Sequence, residues 1–229
     1  MSPVKYFAFG DSLTEGVGTS PERCFVAQLF QHLCYSDQCF VRNWGISGMT
    51  TAELQELLHT SSIRRLLPQA SLITVTTGGC DFIQTYEKGL SLSSLFWTIN
   101  QIRRRVDRIL SLIRSCNPEA EIGLLGFYIP LPAYEQGFTL ASRILQSMNQ
   151  DYQRLCEEYK IRFINPFDVF LNRKDFFADE VHPNQKGYDA LARLFIDRFS
   201  ESVPLPDVQA EVPLIKGDES TSSPSPAPS

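Results

Sequence analysis

The chain contains no run of about 18 consecutive apolar residues, so no segment is expected to cross a membrane as a helix. Its six cysteines (Cys24, Cys34, Cys39, Cys80, Cys116 and Cys156) include no CxxC pair and no cysteine–histidine spacing of a metal site, so no metal is expected. There is no strongly basic stripe, and the formal net charge is −5, which argues against a nucleic-acid partner. Gly16 and Gly18 lack the Gly-x-x-x-x-Gly-Lys pattern of a phosphate cradle, so nucleotide binding is not expected. The N-terminus lacks a leader pattern, because Lys5 is followed at once by a strand-like run. The expected location is therefore cytoplasmic, with free thiols.

What is present is an ordinary globular composition. The 229 residues are 43% hydrophobic and 21% charged, enough for one sizeable core. From about Val203 prolines and small polar residues take over, and such a stretch buries too little to offset its ordering entropy. The expectation is one domain over residues 1–202 and a disordered Pro/Ser-rich tail over 203–229.

Within the domain, strands and helices alternate. The spacing predicts strands over residues 4–9, 39–44, 71–77, 122–127 and 161–164, the third rich in β-branched residues. Helices are expected over 22–35, 52–58, 62–67, 140–159 and 185–199. A long Arg-bearing helix runs to about Ser115, with Leu95, Ile99, Ile102, Val106, Ile109 and Ile113 along one face. Arg103, Arg104, Arg105 and Arg108 read as its solvated face. Residues 128–138, rich in proline and aromatics, read as a loop. Alternation of this kind predicts a parallel sheet with helices on both faces, whose chemically interesting turns share one edge.

Three of those turns suggest a nucleophilic site. Ser12 lies where the first strand ends. Asp179 and His182 are three residues apart, so one loop can present both, and Pro183 stiffens it. Serine is a poor nucleophile until an imidazole takes its proton, and the imidazole needs a carboxylate to hold its tautomer. Gly48 is a candidate oxyanion donor, since a glycine lets substrate approach the backbone closely. Asp81 reads as the cap of the helix that follows it. His32 and His59 read as surface residues. The aromatic residues Phe82, Phe96, Trp97, Tyr128, Tyr134 and Phe138 are candidates for an apolar acyl pocket or for packing.

These residues resemble the blocks of the GDSL (SGNH) hydrolases. Gly10-Asp11-Ser12-Leu13 matches the first block, with Ser12 as nucleophile. Asn43-Trp44-Gly45-Ile46-Ser47-Gly48 is similar to the second, with Gly48 as oxyanion glycine. Asp179-Glu180-Val181-His182-Pro183 matches the last, with Asp179 and His182 as triad partners. The resemblance implies a flavodoxin-like three-layer α/β/α sandwich around a five-stranded parallel sheet. It also implies cofactor-free hydrolysis of carboxylic esters by an enzyme similar to small bacterial lipases, esterases and lysophospholipase-like enzymes. Its partner is a small-molecule acyl ester, with contact to a lipid interface as a further expectation. The third block departs from the family's Gly-x-Asn-Asp. It reads Gly78-Gly79-Cys80-Asp81, so Cys80 stands where the family's asparagine donates to the oxyanion. A thiol is a weak donor. The oxyanion hole is thus expected to consist of the N–H groups of Ser12 and Gly48, with Cys80 a poor third partner. Two alternatives stay open: an acyl-ligand-binding homologue weakened by Cys80, and a carbohydrate deacetylase. A thioesterase fits the same mechanism.

Overall fold

The structure is a computed structural model that describes residues 3–89 and 91–200; the proline-rich stretch from 203 onward lies outside the described residues. The strands are β1 (Lys5–Gly10), β2 (Phe40–Gly45), β3 (Leu72–Thr76), β4 (Glu121–Leu125) and β5 (Arg162–Ile164). They form one five-stranded sheet in the order β2-β1-β3-β4-β5, and every neighbouring pair is parallel. Parallel pairing requires crossovers, and helices supply them. In chain order they are α1 (Ser12–Glu15), α2 (Phe25–Leu33), α3 (Thr51–His59), α4 (Ser61–Leu66), α5 (Gly79–Glu87), α6 (Leu92–Cys116), α7 (Leu131–Gln136), α8 (Phe138–Tyr159), α9 (Phe167–Phe170) and α10 (Gln185–Ser200).

Side chains on β1 alternate between two cores, as the period of a strand demands. Phe7 and Phe9 point into a core shared with α3, α4, α6 and α8. Tyr6 and Ala8 point the other way, against α2 and α10. The fold is therefore the three-layer α/β/α sandwich expected from the alternation. The predicted stripe of α6 faces the larger core: Ile102, Val106, Ile109 and Ile113 are fully buried. The sheet is covered on both faces, which is why β3 reads as one apolar run and not as an alternating one.

Three local readings change. The Arg-bearing helix is two helices, because Gly89 adopts a left-handed φ of 94° and Ser91 starts α6 with a capping box to Ser94. The segment over 128–138 contains a short helix, α7, started by Pro130 and Pro132 at its first turn. Arg103 and Arg105 are not simply solvated: Arg103 pairs with Asp151 and Arg105 reaches Asp81. Among the described residues no helix is long and apolar enough to cross a membrane.

All five strands point the same way, so the residues after Gly10, Gly45, Thr76 and Leu125 lie along one edge of the sheet. That edge, outside the carboxyl ends of the strands, is where open α/β sheets place their ligands.

Candidate active site

Ser12 is the first residue of α1, a four-residue helix that begins as β1 ends. The turn is tight. Gly10 has a φ of 154°, and a Cβ there would lie 2.2 Å from Thr76 Oγ1, so only glycine fits between the two strands. Asp11 caps α1 by accepting from Leu13 N–H at 3.1 Å. Its other support is Thr76 on β3, whose hydroxyl donates to the Asp11 carboxylate at 2.8 Å and accepts from Asp11 N–H at 3.2 Å. Burial raises the Asp11 pKa against these bonds. On the far side Tyr188 of α10 donates to Val17 O at 2.9 Å, closing the turn from below. Ser12 is 7% exposed. As the first helical residue it keeps an N–H that no intrahelical carbonyl takes.

The loop before α10 carries the two other triad candidates, and the fold brings all three together. His182 Nε2 lies 2.9 Å from Ser12 Oγ. His182 Nδ1 lies 2.7 Å from Asp179 Oδ2. The second carboxylate oxygen, Oδ1, accepts from the N–H groups of Val181 at 2.8 Å and His182 at 2.7 Å. Partial burial works to raise the Asp179 pKa. The bonds from His182 and Val181 together outweigh it, and the carboxyl is held below its ordinary range. An ionised Asp179 fixes Nδ1 as the protonated nitrogen, leaving Nε2 as the acceptor for the serine proton.

Asp179 and Glu180 are exposed and Val181 and His182 half-buried, so the loop's position depends largely on hydrogen bonds. Ala178 N–H donates to His182 O at 2.8 Å. Asn184 accepts from Lys186 N–H at 2.9 Å and donates to Asp175 O and Phe177 O at 2.8 and 3.1 Å, so Asn184 supports the last helix and leaves His182 free for Ser12. From the β4 side, Tyr128 donates to Val181 O at 2.6 Å and Leu131 N–H to Glu180 O at 2.9 Å.

Gly48 lies in the loop after β2 with a φ of 84°, and a Cβ built there meets nothing within 4 Å. Open space beside a left-handed glycine is what an approaching substrate requires. The Gly48 N–H faces the sulfur of Cys80. Cys80 is buried on the first turn of α5. Burial pushes its thiol up to about 12, with the nearby Asp11 and Asp81 carboxylates adding to the shift. It is therefore a neutral thiol at ordinary pH and a weak donor, not a thiolate nucleophile. Asp81 does not cap α5, whose N-cap is Gly78. Its carboxylate accepts from Thr51 N–H at 2.8 Å and Thr51 Oγ1 at 2.7 Å, so it joins α5 to the start of α3.

The aromatic candidates divide. Tyr128 stacks on Phe170 with centroids 4.5 Å apart, and its hydroxyl is engaged by the Asp179–His182 loop at Val181 O. Tyr134 accepts from Asn172 N–H at 2.8 Å through its hydroxyl and lies 5.3 Å from the Phe138 ring. Phe82 packs edge-on to Phe127 at 5.7 Å. Phe96, Trp97 and Phe138 are exposed. His32 and His59 are exposed on α2 and α3, away from these turns. Among the described residues no three His, Cys, Asp or Glu side chains are grouped to hold a metal ion. Thr76, Tyr128 and Tyr188, which brace these turns, carry no motif of their own; only their neighbourhood to the Ser12 turn and the Asp179–His182 loop marks them.

Comparison with known proteins adds ancestry to this geometry. The chain is 27% identical to the spore germination lipase LipC of Bacillus licheniformis, over 82% of this chain and 93% of that one. Among solved structures, the lipase Lip_vut3 from a goat rumen metagenome superposes with a TM-score of 0.74 at 25% identity, covering 85% of this chain and 97% of that chain. A catalytic mutant of Axe2, an acetylxylan esterase from Geobacillus stearothermophilus, shares the fold at a TM-score of 0.66 and 21% identity, over 86% of this chain and 94% of that one. The model of the GDSL-like lipase/acylhydrolase family matches residues 8–190, a span that holds the Ser12 turn, the Gly48 loop and the Asp179–His182 loop, and the chain belongs to that family.

Proposed function

We propose that this protein is a serine hydrolase that cleaves carboxylic esters through an acyl-enzyme on Ser12. One observation carries the reading: Ser12 Oγ, the His182 imidazole and the Asp179 carboxylate form an unbroken chain at 2.9 and 2.7 Å. His182 Nε2 takes the Ser12 proton as Oγ attacks the ester carbonyl. The negative charge that develops on the carbonyl oxygen is met by the N–H groups of Ser12 and Gly48, with the Cys80 thiol a weak third donor. His182 then protonates the departing alcohol. Water, deprotonated by the same imidazole, attacks the acyl carbonyl, and Ser12 recovers its proton as the acid is released. No metal or organic cofactor takes part.

The substrate side of the proposal is an ester with a medium or long acyl chain. Ile46, Ile83, Phe96, Trp97, Phe138 and Leu140 are all exposed. They lie in the chain segments that follow β2 (Ile46), β3 (Ile83, Phe96, Trp97) and β4 (Phe138, Leu140). Exposed apolar side chains of this kind suit an acyl chain and contact with a lipid interface more than a sugar. All six cysteines are free thiols, which suits a reducing, cytoplasmic setting.

Hydrolysis of p-nitrophenyl esters from acetyl to palmitoyl, with Ser12→Ala alongside, tests the reading. The expected result is turnover that favours longer chains and is abolished in Ser12→Ala, together with covalent labelling of Ser12 by a fluorophosphonate. A folded wild-type protein whose Ser12 is not labelled would sink the mechanism. Cys80 favours one second reading, an acyl-ligand binder with little turnover. It predicts tight binding of a fluorescent fatty acyl ligand and negligible hydrolysis across the series.

A further inference from the structure

The Gly48 loop poses a physical problem. Ile46, Ser47 and Gly48 are all exposed, so burial does not hold them, yet an oxyanion donor contributes only when it is pre-aimed. The backbone around Gly48 shows what holds it. Gly45 N–H donates to Asn43 Oδ1 at 2.8 Å. Ile46 N–H donates to Gly10 O at 2.9 Å. Ser47 N–H donates to Glu15 Oε2 at 2.6 Å. Met49 N–H turns back to Ile46 O at 3.0 Å. Thr50 N–H donates to Glu53 at 2.8 Å, and Thr51 N–H to Asp81 Oδ2 at 2.8 Å. Each N–H from Gly45 to Thr51 other than that of Gly48 has an oxygen acceptor that fixes its direction, and the Gly48 N–H is turned to the Cys80 sulfur.

Two of those acceptors are side-chain carboxylates from the other parts of the site. Glu15 is the last residue of α1, the helix that starts with Ser12. Asp81 follows Cys80 on α5 and is itself held by Arg105 at 3.4 Å. We propose that Glu15 and Asp81 are positioning residues that clamp the Gly48 loop from both sides, Glu15 setting its distance from the Ser12 N–H and Asp81 its distance from Cys80. The inference rests on the ester-hydrolase reading above. It deepens that reading, because an oxyanion hole without the family's asparagine relies more heavily on its two backbone donors. A carboxylate suits this task, since an ionised acceptor makes shorter and stronger bonds to N–H than a neutral one.

The test compares Glu15→Ala, Glu15→Gln and Asp81→Asn with the wild type. The readouts are kcat and KM on a p-nitrophenyl ester, and Ki for an alkyl trifluoromethyl ketone, whose adduct on Ser12 places an oxyanion in the hole. Glu15 is exposed, so its variants test the idea even if the buried Asp81→Asn protein does not fold. In Glu15→Ala, kcat should fall about 5- to 20-fold, less than the ~10²–10³ of deleting a donor outright. KM should stay within about twofold, and Ki should weaken by the same factor as kcat/KM. Glu15→Gln, which keeps an acceptor for Ser47 N–H, should recover most of the loss. Asp81→Asn keeps one oxygen to accept from Thr51 N–H and loses the one that takes Thr51 Oγ1, so when folded it should show the same split between kcat and KM with a smaller loss than Glu15→Ala. The inference is overturned if Glu15→Ala keeps kcat within about twofold, if its loss appears only in KM, or if glutamine restores nothing. A wild type that neither turns over ester nor takes a fluorophosphonate overturns the underlying reading and this inference with it; a labelled, active wild type with indifferent variants overturns the inference alone.

Discussion

Cys80→Asn tests what the departure from the family pattern costs. The perturbation puts a carboxamide on the first turn of α5, where the thiol now faces the Gly48 N–H. The thiol is neutral, because burial pushes it up to about 12, and it gives the oxyanion only a weak donor. Asparagine would supply a strong N–H donor in its place, beside the N–H groups of Ser12 and Gly48. Deleting one such donor elsewhere costs about 10²–10³ in kcat. The gain here should be smaller, since the surroundings are packed for sulfur: kcat should rise about 10- to 100-fold, with KM changing by less than about threefold. Cys80 is 7% exposed, and enlarging a buried side chain costs about 1–3 kcal/mol. The variant should therefore melt lower by about 2–12 °C while turning over faster. The assay is steady-state hydrolysis of a mid-length p-nitrophenyl ester, with circular dichroism to confirm folding. A folded variant with kcat equal to or below the wild type would refute the reasoning, and would mean that the oxyanion of this protein does not pass beside residue 80.

Three further outcomes follow from the same geometry. Tyr128→Phe removes the bond to Val181 O, so the His182 loop loosens: stability should fall by about 0.5–1.5 kcal/mol, and kcat should drop several-fold with KM unchanged, read by denaturant melts and steady-state kinetics. Gly48→Ala meets no atom within 4 Å but imposes a side chain at a φ of 84°; the conformational cost is about 1–2 kcal/mol, and the methyl enters the space the substrate needs, so kcat/KM should fall by more than tenfold (about 10–100). The folded-state pKa of Asp179 is depressed, so its contribution to stability is present above the unfolded value of about 3.9 and is lost as pH falls through the folded one. Glu53 is depressed as well, by the Thr50 N–H and hydroxyl. The urea midpoint should therefore decline below about pH 4, and less steeply in Asp179→Asn; an identical decline in that variant would exclude Asp179 as a contributor.

The layered architecture was legible in the sequence because its signals are strong and local. Residues 71–77 read as a buried strand, and the Arg-bearing helix shows its stripe at helical spacing; neither depends on distant residues. The triad candidates were legible for another reason, since the spacing of Asp179 and His182 and the strand-end position of Ser12 restrict where they can meet. Residues 128–138 were misread as loop because prolines ordinarily interrupt helices. Here Pro130 and Pro132 stand where a helix begins, and there the missing N–H costs nothing. Asp81 was misread for a related reason. From the sequence its only partner is the nearby helix end; in the fold its partner is Thr51, thirty residues earlier. Tyr128 reads from the sequence as pocket lining or packing; in the fold its ring stacks on Phe170 and its hydroxyl lies 2.6 Å from Val181 O. Which of several long-range acceptors a polar side chain finds depends on the assembled fold and leaves no periodic trace.

The distribution of burial explains why this site needs so many supporting hydrogen bonds. Ser12, Asp11 and Thr76 are buried and are held by two strands of the sheet. Ile46 to Gly48 and Asp179 to Glu180 are exposed and His182 is half-buried, so packing orders these loops less than it orders the Ser12 turn. An exposed loop pays conformational entropy for every fixed residue, about 1–2 kcal/mol, and a neutral hydrogen bond returns about 0.5–1.5 kcal/mol. Several bonds per loop, with carboxylates among the acceptors, are therefore the minimum that keeps such loops aimed. Both loops meet this condition. Asp179, Tyr128, Leu131 and Asn184 fix the His182 loop; Glu15, Asn43, Glu53 and Asp81 fix the Gly48 loop. On the proposed mechanism Cys80 is a single weak donor beside two strong ones, and the fixed frame around Gly48 is the arrangement that mechanism requires.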